Sequence, residues 1–191
     1  MPARAALDQA AVVRAAADLA DERGLDAVTL GAVAARLGIR PPSLYNHVRG
    51  LAGLRDGLAL HATRELGARI TRAAVGKSAD DAILAIGRAY RAFAHEHPGL
   101  FAASARAPSD DPAWQTAARQ VVETIIAVLA AYNLSQTEAV HAVRVLRGLV
   151  HGFVAIEAIG GFGIPLDQDA SLDYGLRLFA QGLATAPSRP S

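Results

Sequence analysis

Apolar positions recur three and four residues apart along nearly the whole chain, and no segment alternates apolar and polar residues long enough to suggest a strand. Val12, Ala16, Leu19 and Ala20 share one helical face, with Asp8 where an N-cap belongs and Gly24 where a helix stops. Thr29 can cap a second, very short helix, LGAVAARL, whose Val33, Ala34 and Leu37 lie together before Gly38 breaks it. Pro41 pushes Arg40 toward an extended backbone, and Pro42 suits the first turn of a third short helix. A long helix over residues 51–74 follows, and Ser78 caps another that runs to His97, where Pro98 ends it. After the short segment GLFAASARA and the PSDDP loop, helices are predicted from about Trp114 to Tyr132, from the cap Ser135 to Ile159, and over SLDYGLRLFAQGLA at 171–184. GGFGIPLDQD reads as a loop and TAPSRPS as a frayed tail. The expected architecture is all-α, with about nine helices.

Composition narrows this picture without redirecting it. Of 191 residues, 52% are hydrophobic, ample for a sizeable core. The absence of cysteine excludes disulfides and thiolate metal sites and suits a reducing compartment. Asp8, Asp18, Asp21 and Glu22 interrupt any N-terminal apolar segment, so no signal peptide is expected. The longest uncharged apolar stretch, TIIAVLAAYNL, falls well short of the roughly 20 residues that span a bilayer. A cytoplasmic protein without membrane contact is expected, and the NLS sequon at Asn133 then carries no glycan.

Two short helices joined by a glycine-containing turn, behind a longer supporting helix, describe a helix-turn-helix module. Its second helix has to carry base-reading groups in its first turn, flanked by phosphate donors. Arg40 can make a bidentate contact to guanine, and Ser43 and Asn46 can reach base edges. Tyr45 and His47 suit phosphates, Pro41 and Pro42 offer apolar surface to a thymine methyl, and the hydroxyl and N–H of Thr29 would meet another phosphate. Charge agrees with double-stranded DNA as a partner. Between Arg36 and Arg72 there are seven arginines against Asp56 and Glu65, a local +5 in a chain of net +1. The alternative is that these arginines form the solvated face of a helix.

Through VVRAAADLADERGLDAVTLGAVAARLGIRPPSLYNHV the chain resembles the DNA-binding domain of the TetR family of bacterial transcriptional repressors, with Ala16, Gly24, Thr29, Ala34, Gly38, Leu44, Tyr45 and His47 at matching positions. Two departures stand out. Arg40 and the proline pair replace small polar residues, which suggests an unusual operator preference. Leu51 stands where the family usually places a phosphate-binding lysine, a contact that Arg49 or Arg55 can take over. The pieces YRAFAHEHPGLF and LRGLVHGFVAIEAIGGFGIPLDQDASLDYGLRLF resemble family members whose ligand domain carries an HG (WHG-like) signature. The resemblance implies a helix-turn-helix domain at 1–50, a ligand-binding and dimerisation domain at 51–186 and a tail at 187–191. It also implies a homodimer that binds a palindromic operator and releases it when a small-molecule effector enters. Dimerisation would use the last two helices, with Leu176 and Phe179 at the interface.

The residues add their own hints. Gly148 and Gly152, four apart, leave a smooth surface for another helix, with Phe153 among the apolar groups around it; intrachain packing would explain them as well. Tyr90, Phe93, Phe101 and Trp114 are candidates for an effector pocket or simply for core. Arg144, Arg147 and His151 form a polar stripe that can meet an anionic ligand group, or else pair with carboxylates such as Glu138 or Asp173. HEH at His95, Glu96 and His97 suggests metal, yet two histidines two apart on a helix point about 200° apart. No catalytic motif or cofactor-binding turn appears, so the expectation is a ligand-responsive repressor without cofactor or catalysis. A helical carrier with a vestigial DNA module and a metal enzyme built on His95 and His97 stand as alternatives.

Overall fold

The structure, a computed structural model, describes residues 7–77, 79–105 and 110–185. The expected cap Ser78, Pro108 and Ser109 of the PSDDP loop, and residues 186–191 of the tail lie outside the described residues. Among the described residues every regular element is helical: α1 (Gln9–Arg23), α2 (Leu30–Leu37), α3 (Gly50–Ala74), α4 (Ala79–Glu96), α5 (Pro98–Ser104), α6 (Pro112–Leu129), α7 (Gln136–Ala158) and α8 (Gln168–Thr185). Three short 3₁₀ segments, Leu25–Ala27, Pro41–Asn46 and Ala130–Tyr132, join them.

Local chemistry sets most of these boundaries. Asp8 accepts from Ala11 N at 2.7 Å and Thr29 Oγ1 from Ala32 N at 3.1 Å, each satisfying an orphan N–H of a first turn. Ser135 and Glu138 form a reciprocal capping box at the start of α7. Gly38 closes α2 in the left-handed region at φ 66°. Pro98 acts differently from the expectation. α4 stops at Glu96, and Pro98 opens α5 as its first residue, because a first-turn residue has no intrahelical use for an N–H. α8 begins three residues earlier than the periodicity placed it, since Asp167 Oδ1 accepts from Asp169 N at 2.9 Å.

The chain forms two compact units, Met1–Glu65 with Glu96–Ala117, and Leu66–His95 with Ala118–Ser191. The first unit thus reaches well past the 1–50 segment. Its core gathers Val12, Ala16, Leu19, Val33, Leu44 and Leu58, and α5 lies tightly on the C-terminal end of α1. A Cβ on Gly99 would sit 2.1 Å from the carbonyl carbon of Ala20. In the second unit Ile83, Phe93, Leu129, Leu146, Leu172 and Leu176 are fully buried. α4 and α8 approach closely at Gly87, where a Cβ would meet Leu176 at 2.4 Å. α7 is long and apolar enough to cross a membrane by length and composition. Here, however, it buries Leu146, Val150 and Val154 within the second unit.

Candidate functional site

The stretch that sequence assigns to DNA reading is exposed on the first unit but is not an α-helix. Arg40 is extended (φ −82°, ψ 141°), as a residue before proline must be, and Pro41–Asn46 then winds as 3₁₀. Three-residue bonds hold the segment, Ser43 N to Arg40 O at 3.0 Å and His47 N to Leu44 O at 2.9 Å. With three residues per turn, Arg40, Ser43 and Asn46 fall on one edge, Pro42 and Tyr45 on a second, and Pro41, Leu44 and His47 on a third. Leu44 anchors the segment in the core at 0% exposure, helped by Val48. Tyr45 stands 64% exposed. Arg40, Pro41, Pro42, Asn46 and Arg49 are exposed as well, while Ser43 and His47 are half-buried. Thr29 is exposed with its hydroxyl oxygen already capping α2. Leu51 is half-buried in the first turn of α3 and adds to packing where a lysine would project.

The arginine-rich segment is less uniform than its count suggests. Arg36 is held by Glu22 through paired contacts of 2.7 and 2.5 Å, with Asp18 at 3.8 Å. Its guanidinium lowers the Glu22 carboxyl from its ordinary value. Arg69 lies over the ring of Phe93 at 5.5 Å, in the second unit. Neither stands beside the reading segment as an open phosphate donor, which leaves Arg40, Arg49 and Arg55 nearest to it.

Sequence reasoning missed what α5 does. Asp21, in the last turn of α1, accepts from Gly99 N at 2.8 Å and Leu100 N at 3.0 Å, and its other oxygen lies 2.7 Å from His97 Nδ1. One carboxylate on the first helix thereby caps a helix from far along the chain. A signal was present, because Asp21 and Glu22 sit at a helix C-terminus, where the macrodipole disfavours anions; two acids there imply partners elsewhere. The HEH motif resolves in the same way. His97 goes to Asp21 in the first unit, while His95 Nε2 lies 2.9 Å from Glu157 in the second. His95 and His97 thus have separate carboxylate partners, and among the described residues no three potential metal ligands converge.

In the second unit the structure joins three of the predicted effector residues. The hydroxyl of Tyr90, which is buried on α4, lies 3.2 Å from His151 Nδ1 on α7. Arg147 is one turn before His151 and acts on both groups. Burial pushes the Tyr90 phenol up against the pull of Arg147, and burial together with Arg147 lowers His151. Phe93 is fully buried core. Phe101 and Trp114 are half-buried in the first unit, and Arg144 is exposed. Of the proposed interface residues, Leu176 is a correction: it packs at 0% exposure against Gly87 inside its own unit and cannot reach a partner. Gly148 and Gly152 have open space around them, Phe179 is half-buried, and Phe153 packs on Phe162 at 4.8 Å between ring centres.

Two family models match the chain. "Bacterial regulatory proteins, tetR family" covers residues 12–52, and "Tetracyclin repressor-like, C-terminal domain" covers 83–179. The chain is 37% identical over 179 residues to an uncharacterized HTH-type transcriptional regulator, Rv0681, of Mycobacterium tuberculosis, spanning 92% of this chain and 82% of that one. It is 35% identical to the uncharacterized HTH-type regulator YobS of Bacillus subtilis, over 96% of each chain. Among solved structures, a TetR variant of Acinetobacter baumannii AYE in complex with minocycline superposes with a TM-score of 0.70 at 26% identity, covering 92% of this chain and 96% of that one.

Proposed function

Because this chain belongs to the TetR family and is a DNA-binding transcriptional regulator with a ligand-binding C-terminal domain, we propose that it represses from a palindromic operator as a homodimer and is released by a small-molecule effector. The observation that carries this reading is the 3₁₀ segment, which Leu44 pins to the core while one edge presents Arg40 and Asn46 exposed, with Ser43 half-buried between them. Pro41 and Pro42 flank that edge and meet a thymine methyl, and Thr29, Tyr45, His47 and Arg49 hold phosphates. A homodimer fits the concentration of exposed apolar groups on the last two helices. Val145, Ile156, Tyr174 and Leu178 are all at least 44% exposed, and the open Gly148 and Gly152 lie among the α7 residues of this set, with Phe153 and Phe179 beside it. Two reading heads a helical turn apart then specify a palindrome that one head is too small to specify.

The minocycline complex of the Acinetobacter relative supports an effector role for the second unit here, with Tyr90, Arg147 and His151 as its polar contacts. Effector shifts the balance between two dimer shapes only through its differential affinity for the shape that does not fit DNA. The protein acts in the cytoplasm and catalyses no reaction.

Selection from a random duplex pool at about 150 mM salt tests this reading, and an enriched palindrome is the expected outcome. On that operator Tyr45→Phe and His47→Ala weaken binding to all sequences alike, whereas Arg40→Ala costs about 1 to 3 kcal/mol at one base position. Equal weakening of every sequence by Arg40→Ala would remove its base-reading role.

A further inference from the structure

The carboxylates of the second unit are largely spoken for. Arg91 holds Glu157 and Asp169, Arg88 and Arg177 hold Asp173, Tyr132 donates to Asp80, and Glu138 is occupied in the capping box of α7. Around the cleft of about 490 Å³ between α4 and the start of α8, both Arg88 and Arg91 therefore meet anions. Arg147 differs. It is exposed, one turn before His151 on α7, and its charge acts on the buried Tyr90 hydroxyl and on His151, which lie 3.2 Å apart; among the described residues no carboxylate is paired with it, and the two acids that could have paired with its stripe, Glu138 and Asp173, are taken. The polar cluster thus carries a positive charge that the chain itself does not neutralise.

A planar guanidinium backed by a phenol and an imidazole is a recognition set for a carboxylate or another planar oxyanion. The guanidinium supplies charge and paired donors, and the neighbouring ring groups fix the orientation of the bound oxygens. A neutral carbonyl gains only ordinary hydrogen bonds from it, and a cation is repelled. We infer that the effector of this protein is a small organic acid whose anionic group is held by Arg147 with Tyr90 and His151. The inference rests on the second unit being the effector domain and adds the chemical class of the molecule that enters it.

Matched acid and amide pairs isolate the charge. The full-length protein is titrated by calorimetry with benzoate against benzamide and hexanoate against hexanamide, in the wild type and in Arg147→Gln. Arg119→Gln on α6 serves as a control for loss of one positive charge elsewhere. The acids are expected to bind the wild type about ten-fold or more tightly than their amides, a preference that Arg147→Gln erases and Arg119→Gln keeps. Sedimentation of Arg147→Gln accompanies the titration. Equal binding of acid and amide, a preference that survives Arg147→Gln, or conversion of a dimer to monomers by Arg147→Gln would each overturn the assignment, the last by making Arg147 an interface residue. Failure of the operator selection, by contrast, bears on DNA reading and leaves the acid preference readable.

Discussion

Gly99→Ala is expected to lower the melting temperature by on the order of 10 °C, and to do so through the first unit. The added methyl would lie 2.1 Å from the carbonyl carbon of Ala20, 2.3 Å from its oxygen and 2.5 Å from Asp21 N. All three are backbone atoms, so no rotamer change relieves the clash and α5 has to lift from α1. Lifting breaks the bonds from Gly99 N and Leu100 N to the Asp21 carboxylate. Overpacking of about 1 to 3 kcal/mol and the loss of charge-assisted hydrogen bonds combine to roughly 3 to 5 kcal/mol. Gly182→Ala on α8 is the control, since a Cβ there meets nothing within 4 Å. That variant is expected to be neutral or slightly stabilising through helix propensity alone. Thermal unfolding of the two proteins side by side decides the matter, and similar melting temperatures would mean that α5 does not rest on α1 as described.

The second large effect lies at Glu157. Its carboxylate is 7% exposed and takes a two-pronged contact from Arg91, Nε at 2.8 Å and Nη2 at 2.5 Å, while His95 Nε2 lies 2.9 Å away. Arg91 also holds Asp169 at the start of α8, so one guanidinium ties α4 to both α7 and α8. The Arg91 guanidinium holds the Glu157 carboxyl down to about 2, from an ordinary 4.5. In the unfolded chain this group protonates near its ordinary value, and in the folded protein it stays ionised well below that. Its stabilisation is therefore complete above about pH 4.5 and is lost as pH falls toward about 2. Glu157→Gln leaves Arg91 without its main anion and is expected to cost about 2 to 4 kcal/mol at pH 7, somewhat less than a fully buried pair would. Denaturant midpoints at pH 7, 4 and 3 should show the wild type falling toward the variant as the pH drops. A constant gap between them would exclude Glu157 as the source.

The two effects mark where sequence stops being legible. The caps at Asp8, Thr29 and Ser135 were readable because a cap is a local device, one side chain meeting an N–H three residues on. Helical periodicity was readable for the same reason, and family resemblance identified the reading segment. Its 3₁₀ winding was not legible, because prolines in a first turn suit a four-residue and a three-residue repeat alike. Pro98 is ambiguous in principle, since proline both ends helices and begins them. Ion-pair partners were beyond the reach of spacing. Arg147 and Asp173 look like candidates for each other in sequence, and only the packing of α4 against α8 gives Asp173 to Arg88. Leu176 failed as an interface residue because a glycine on another helix, Gly87, makes room for it inside its own unit.

The bond between Asp21 and the start of α5 has a consequence for recombining regulators. A graft of this reading head onto a foreign sensor, cut after residue 50 as the helix-turn-helix pattern invites, would strip α1 of its cover and leave Asp21 facing solvent. The transplantable module is discontinuous: it needs Glu96–Ala117 delivered back to the head by whatever sensor is inserted between. Exchange of sensors is then governed less by linker length than by whether the incoming domain brings a helix with a glycine at its second position back to Ala20.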